Sequence, residues 1–198
     1  DIYEQRLAET FRKLVDVYDT TTQTYDYERW GAKAVWLDDH SLPVLRELFP
    51  RSKFIFLYRD IQSILESLKG QQRQPDYVWN LSEAYEWKIG MYYQTWEDKI
   101  RWARETLAPA DDARVVQLEA FLSTPEQNAD KLCAFLGIDH LDLGVLDTKV
   151  NSIWHAETGE FTSSHYVSPS PLSDSELKTL RQVASTPFLR DLGYDLDR

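Results

Sequence analysis

The sequence predicts an α/β fold with a parallel central sheet flanked by helices, and three observations carry that reading. Strand-like and helix-like stretches alternate in the order β-α-β-α-β-α, which favours a parallel sheet with helices on its faces. The run Phe54 to Tyr58, "FIFLY", is aromatic and β-branched without polar alternation, as expected of a strand buried on both sides. It stops abruptly at Arg59 and Asp60, after which Ile61, Ile64, Leu65 and Leu68 fall at helical spacing.

Taken in order, residues 2–18 place Leu7, Phe11, Leu14, Val15 and Tyr18 on one face of an amphipathic helix. A polar run leads to "AKAVWL", residues 32–37, read as a short strand, and "SLPVLRELF" reads as a helix of about two turns. Beyond the central strand and its helix, Leu81, Tyr85, Ile89, Tyr92, Trp96, Ile100, Ala103 and Leu107 step by three and four. This spacing predicts one long helix over 78–107. "ARVVQLE", residues 113–119, is a third strand. "STPEQNADKLCAFLG" carries helix start and stop signals: Ser123 or Thr124 as cap, Pro125 in the first turn and Gly137 at the end. "NSIWHAETGEFTSSHYVSPSP", residues 151–171, is expected to be a loop. Ser173 and Glu176 then form a capping-box pattern before a last helix carrying Leu177, Leu180 and Val183.

Composition narrows the functional classes. The 198 residues fit a single domain, 1–198, with room for an ordinary core. A net charge of -11, from 22 basic and 33 acidic residues, argues against a general nucleic-acid or anionic-membrane surface, so an anionic ligand must be held locally. The single cysteine, Cys133, excludes an internal disulfide and a thiolate cluster. It shares an apolar stripe with Ala129, Leu132 and Leu136, and a reduced, cytoplasmic setting is expected. No stretch approaches the roughly 20 apolar residues of a membrane span. Because the chain opens on Asp1, it is read as a processed or excised piece.

An arginine placed where a buried strand gives way to a helix lies at the carboxyl edge of the sheet, where open α/β folds bind ligands. Arg59 is therefore a candidate anion contact: its guanidinium offers a fork of donors matched to two phosphate oxygens. Ser67, eight residues on, adds a neutral donor. The alternatives are an ion pair between Arg59 and Asp60 or another carboxylate, and simple solvation of Ser67.

Lys33, "FPRSKFIFLYRD", Ser67 and the helix ending "FLG" together resemble the sulfotransferase family. "VVQLEAFLSTPEQNADKLCAFLGI" extends the likeness, being similar to that family's Y-E-D-L-x-x-x-P and the helix after it. The resemblance covers roughly residues 30–155 and is strongest for the branch that includes tyrosylprotein and bacterial sulfotransferases. It implies a P-loop-NTPase-like sulfotransferase fold. It also implies transfer of a sulfuryl group from 3′-phosphoadenosine-5′-phosphosulfate to a hydroxyl on a small molecule or peptide, with adenosine 3′,5′-bisphosphate as product and no metal. Arg59 and Ser67 would bind the donor's 3′-phosphate. Lys33 would stabilise charge on the leaving oxygen of a loose transition state. "KVNS" offers Ser152 as an assisting catalytic serine at a different spacing, with structural or surface roles as the alternatives for both residues.

The sequence also departs from the pattern. Leu118 stands where the family has tyrosine, and Val35 where cytosolic members have a catalytic histidine, so no general base is named. His40, His140, His155 and His165 are expected to be structural or exposed, since no two share metal-ligand spacing. The glycine-rich loop that would hold the 5′-phosphosulfate is expected from an upstream segment of the same protein, because the seven glycines here are scattered. The rival reading is a catalytically silent nucleotide-binding or protein-interaction module that kept the fold. A P-loop kinase relative is weaker, for lack of G-x-x-x-x-G-K-[ST].

Overall fold

The computed structural model describes residues 31, 33, 37–72, 85–147, 151–155, 160–164 and 168–196. The predicted helix over 2–18, most of the "AKAVWL" strand and residues 78–84 lie outside these. The chain divides into two compact units, Asp1–Lys53 and Phe54–Arg198.

In the first unit, helix α1 (Ser41–Leu48) starts beside Asp38, whose Oδ1 accepts the backbone N–H of Ser41 at 2.8 Å and its hydroxyl at 2.8 Å. This carboxylate satisfies donors that a helix start leaves without intrahelical partners. Leu42 on α1 is buried.

In the second unit, strand β1 (Phe54–Tyr58) pairs in parallel with β2 (Ala113–Gln117), Phe54 opposite Ala113 and Tyr58 opposite Gln117. Helices α2 (Ile61–Gln72) and α3 (Tyr85–Trp102) lie between the two strands in sequence. The fold is thus α/β, with a parallel sheet flanked by helices. β1 is not buried on both faces, however: Ile55 is 41% and Leu57 58% exposed, while Phe54, Phe56 and Tyr58 alternate inward. Among the described residues of this unit, the α3 side of the sheet is covered, with Phe56 edge-on to Trp102 at 6.3 Å.

The long predicted helix changes character at its end. From Ala103 to Leu107 it widens into a π turn, marked by the i→i+5 hydrogen bond from Ala108 N–H to Ala103 O at 2.9 Å. Pro109 follows, where a helix cannot continue. β2 is two residues shorter than predicted, because Leu118 and Glu119 open helix α4 (Leu118–Ser123). Helix α5 (Pro125–Leu136) begins and ends where its signals place it. Its N-cap Thr124 makes no side-chain capping bond; instead the Asn128 amide donates to Ala120 O, Phe121 O and Thr124 Oγ1. Gly137 closes α5 at φ 66°, the left-handed conformation that a Cβ disfavours. Ala129 and Cys133 are buried on the predicted stripe.

Residues expected to be loop form an antiparallel hairpin, β3 (Asn151–His155) with β4 (Glu160–Ser164). Strand pairing here overrides a composition poor in periodicity. Helix α6 (Asp174–Val183) has the predicted capping box: Ser173 Oγ accepts from Glu176 N–H, and the Glu176 carboxylate accepts from Ser173 N–H at 2.6 Å. A further helix, α7 (Thr186–Asp191), was not legible from spacing.

The core gathers Ile61 and Leu65 from α2, Ile89, Tyr93, Trp96 and Ile100 from α3, Leu180 from α6 and Phe188 and Leu189 from α7. Burying each aliphatic or aromatic side chain of this kind contributes roughly 1.5 to 3 kcal/mol. Polar ties hold the layers in place. Tyr93 accepts the Ser185 N–H at 2.7 Å, and Lys69 on α2 reaches both Pro171 O and the Glu176 carboxylate. Gly70 permits this approach, since a Cβ there would sit 2.4 Å from Ser168 O.

Glu176 is buried. Burial raises its pKa, but hydrogen bonds from Lys69 and from the Ser173 backbone and hydroxyl outweigh that and hold the carboxyl below its ordinary value. With a depressed folded-state pKa, the pair stabilises fully above the unfolded carboxyl's value, about 4.3, and the gain fades as pH falls through the lower folded value. Urea unfolding should therefore show Glu176→Gln less stable than the parent by about 1.5 to 3 kcal/mol at pH 7. The two should converge on acidification below about pH 4.

Candidate active site at the carboxyl edge of the sheet

Both strands of the parallel pair switch directly into helices, β1 through Arg59–Asp60 into α2 and β2 at Leu118 into α4. Parallel strands end on the same side, so both helix starts share one sheet edge. Arg59, Asp60 and Glu119 are all at that edge.

Asp60 is consumed locally. Its Oδ2 accepts the Ser63 N–H at 2.8 Å and the Ser63 hydroxyl at 2.9 Å, and its carbonyl accepts Ile64 N–H at 3.2 Å. This is N-cap chemistry, and it explains why an aspartate ends the apolar run. No ion pair joins Asp60 to Arg59. Among the described residues no carboxylate forms an ion pair with the half-buried Arg59. Ser67 is half-buried on α2, roughly 10 Å along the helix from Asp60.

The peptide bond between Arg59 and Asp60 is held at both ends. The Trp96 indole N–H donates to Arg59 O at 2.9 Å, and Asp60 N–H donates to Glu119 Oε1 at 2.8 Å. The other Glu119 oxygen accepts the Tyr194 hydroxyl at 2.8 Å, and the Tyr194 ring lies 6.1 Å from that of Trp96. Burial, reinforced by the hydrogen bond to Glu119 and opposed by one from Gln117, raises the pKa of Tyr194, which keeps its hydroxyl a donor. Tyr58 is likewise raised, by burial first and by Glu119 and Asp191, against the lowering effect of Arg104. Glu119 and Tyr194 were not among the residues singled out in the sequence, and Trp96 was singled out only as a member of the helix stripe. The one available signal was Glu119 in the stretch similar to Y-E-D-L.

Lys33 is exposed and belongs to the first unit. Ser152 is on β3, opposite Ser163 in the register. His40 and His140 are exposed, and among the described residues no group of His, Cys, Asp and Glu is arranged to hold a metal ion. No described helix is long and apolar enough to cross a membrane. A groove of about 670 Å³ runs along β2 and α5, lined in part by Arg114, Val116, Phe121, Lys131 and Phe135, with neither Arg59 nor Ser67 in its wall. The Arg114 guanidinium stacks on Phe135 at 4.2 Å.

In a comparison with protein families, the model described as "Sulfotransferase family" matches residues 3–142. No curated protein matches the sequence.

If Asp60 works as the α2 cap, Asp60→Ala should cost about 1 kcal/mol in denaturant unfolding. Asp60→Asn should retain most of that stability.

Proposed function

This chain belongs to the sulfotransferase family, and from that premise we propose that it binds 3′-phosphoadenosine-5′-phosphosulfate and serves sulfuryl transfer to a hydroxyl acceptor on a small molecule or peptide. The observation that carries this reading is Arg59: a half-buried arginine at the carboxyl edge of the sheet, without an ion-pair partner among the described residues, on a peptide unit fixed at both ends. A fork of charged donors in a fixed place fits a phosphate dianion better than it fits bulk water. Arg59 and Ser67 would hold the 3′-phosphate, the serine adding a neutral donor. When bound, the donor supplies the sulfuryl group itself.

Lys33 would place positive charge where the leaving oxygen gains negative charge, and Ser152 would assist by donating a hydrogen bond. The "FPRSKFIFLYRD" strand and the "FLG" helix end support placement near the tyrosylprotein and bacterial branch. A chain of net charge -11 needs local cations for such a donor, which is the role given to Arg59 and Lys33.

Calorimetry with two nucleotides tests the assignment. Arg59→Ala should weaken adenosine 3′,5′-bisphosphate binding by about 1.5 to 3 kcal/mol, roughly ten- to hundredfold, and leave 5′-AMP binding nearly unchanged. Equal losses for both nucleotides would sink the 3′-phosphate role. In transfer assays with labelled donor, Lys33→Ala should lower kcat while donor affinity holds, the pattern of an interaction made chiefly in the transition state. An unchanged kcat would return Lys33 to the surface.

A further inference from the structure

Glu119 is exposed on α4, yet both of its carboxylate oxygens are engaged: one by the Asp60 N–H, the other by the Tyr194 hydroxyl. The parallel ladder ends at Tyr58 and Gln117, so Asp60 N–H has no strand partner and, as the N-cap, no intrahelical one. Across the same peptide bond, Arg59 O takes the indole N–H of buried Trp96, a donor that needs a partner once out of water. One amide plane is thus gripped from two sides, and the two grips are joined through Tyr194, which touches Trp96 with its ring and Glu119 with its hydroxyl. Fixing that plane constrains ψ of Arg59 and φ of Asp60, and so sets where the Arg59 side chain leaves the backbone.

We propose that Glu119 is a positioning residue for the anion contact, orienting Arg59 through the Arg59–Asp60 peptide, with Trp96 as the opposing grip and Tyr194 as the brace between them. The proposal rests on Arg59 as the donor-phosphate contact. A guanidinium that binds two phosphate oxygens at once is sensitive to its approach direction, so loss of the clamp should appear as lost phosphate affinity rather than only as lost stability.

The test combines Glu119→Ala with the conservative Glu119→Gln, whose amide oxygen still accepts from Asp60 and whose NH2 group donates to the Tyr194 oxygen. Amide hydrogen exchange followed by NMR should speed up at Asp60 by about tenfold in Glu119→Ala, with the β1 amides unchanged, and recover in Glu119→Gln. Affinity for adenosine 3′,5′-bisphosphate should fall about five- to tenfold in Glu119→Ala and be restored in Glu119→Gln, with 5′-AMP affinity level throughout. In an Arg59→Ala background, Glu119→Ala should cost no further bisphosphate affinity, the signature of two residues acting through one contact. Unchanged Asp60 exchange, an equal loss for 5′-AMP, or an undiminished loss in the Arg59→Ala background would each overturn the clamp. If Arg59→Ala itself binds the bisphosphate as the parent does, the donor-site reading fails instead, and the Asp60 exchange alone decides whether Glu119 holds the peptide.

Discussion

The peptide bond between Arg59 and Asp60 is the point on which the carboxyl edge of this sheet is organised. It is where a strand becomes a helix, so its carbonyl and its N–H belong to neither regular hydrogen-bond pattern. Their partners come from Trp96 and Glu119, 37 and 59 residues along the chain. Side chains from α3 and α4 therefore meet at one amide plane. Asp60 contributes from the inside by capping α2.

The aromatic surroundings make that junction stiff. Trp96 touches Tyr93, Phe188 and Tyr194 at ring distances of 5.9, 5.9 and 6.1 Å, and its indole N–H is the only polar group it must satisfy. The segment after α7 reaches the sheet edge through the same cluster: Gln117 donates to Leu192 O at 3.1 Å, and Tyr194 reaches Glu119. The C-terminal helices are thus more than a cover for the core. The segment after them supplies Tyr194, whose hydroxyl donates to Glu119.

A second set of ties works at the far side of α2. Lys69, Glu176 and the Ser173 cap link the helix that bears Ser67 to the start of α6, and Gly70 lets the Ser168–Ser170 segment lie directly against that helix. The backbone of Ser170 donates to Glu66 O at 2.9 Å, one residue before Ser67. Ser67 thus lies on a helix whose far end is tied to the start of α6, while Arg59 precedes its first residue on a peptide held by α3 and α4.

Local chemistry was readable from the sequence, because it depends on neighbours within a few residues. The switch at Arg59–Asp60, the capping box at Ser173 and Glu176, and Pro125 and Gly137 at the ends of α5 are decided by periodicity, side-chain capping and backbone conformation, and the family likeness follows from motifs of the same short range. What depended on distant partners was not readable. The exposure of Ile55 and Leu57 reflects which layer covers the sheet, and the β3–β4 hairpin reflects cross-strand pairing. The grip of Trp96, Glu119 and Tyr194 on a single peptide belongs to the same class. In the sequence those three are a helix-stripe tryptophan, an acidic residue and a tyrosine near the end of the chain. Only packing brings their donors and acceptors within 3 Å of one another, because an unpaired backbone group selects its partner by position in space and not along the chain.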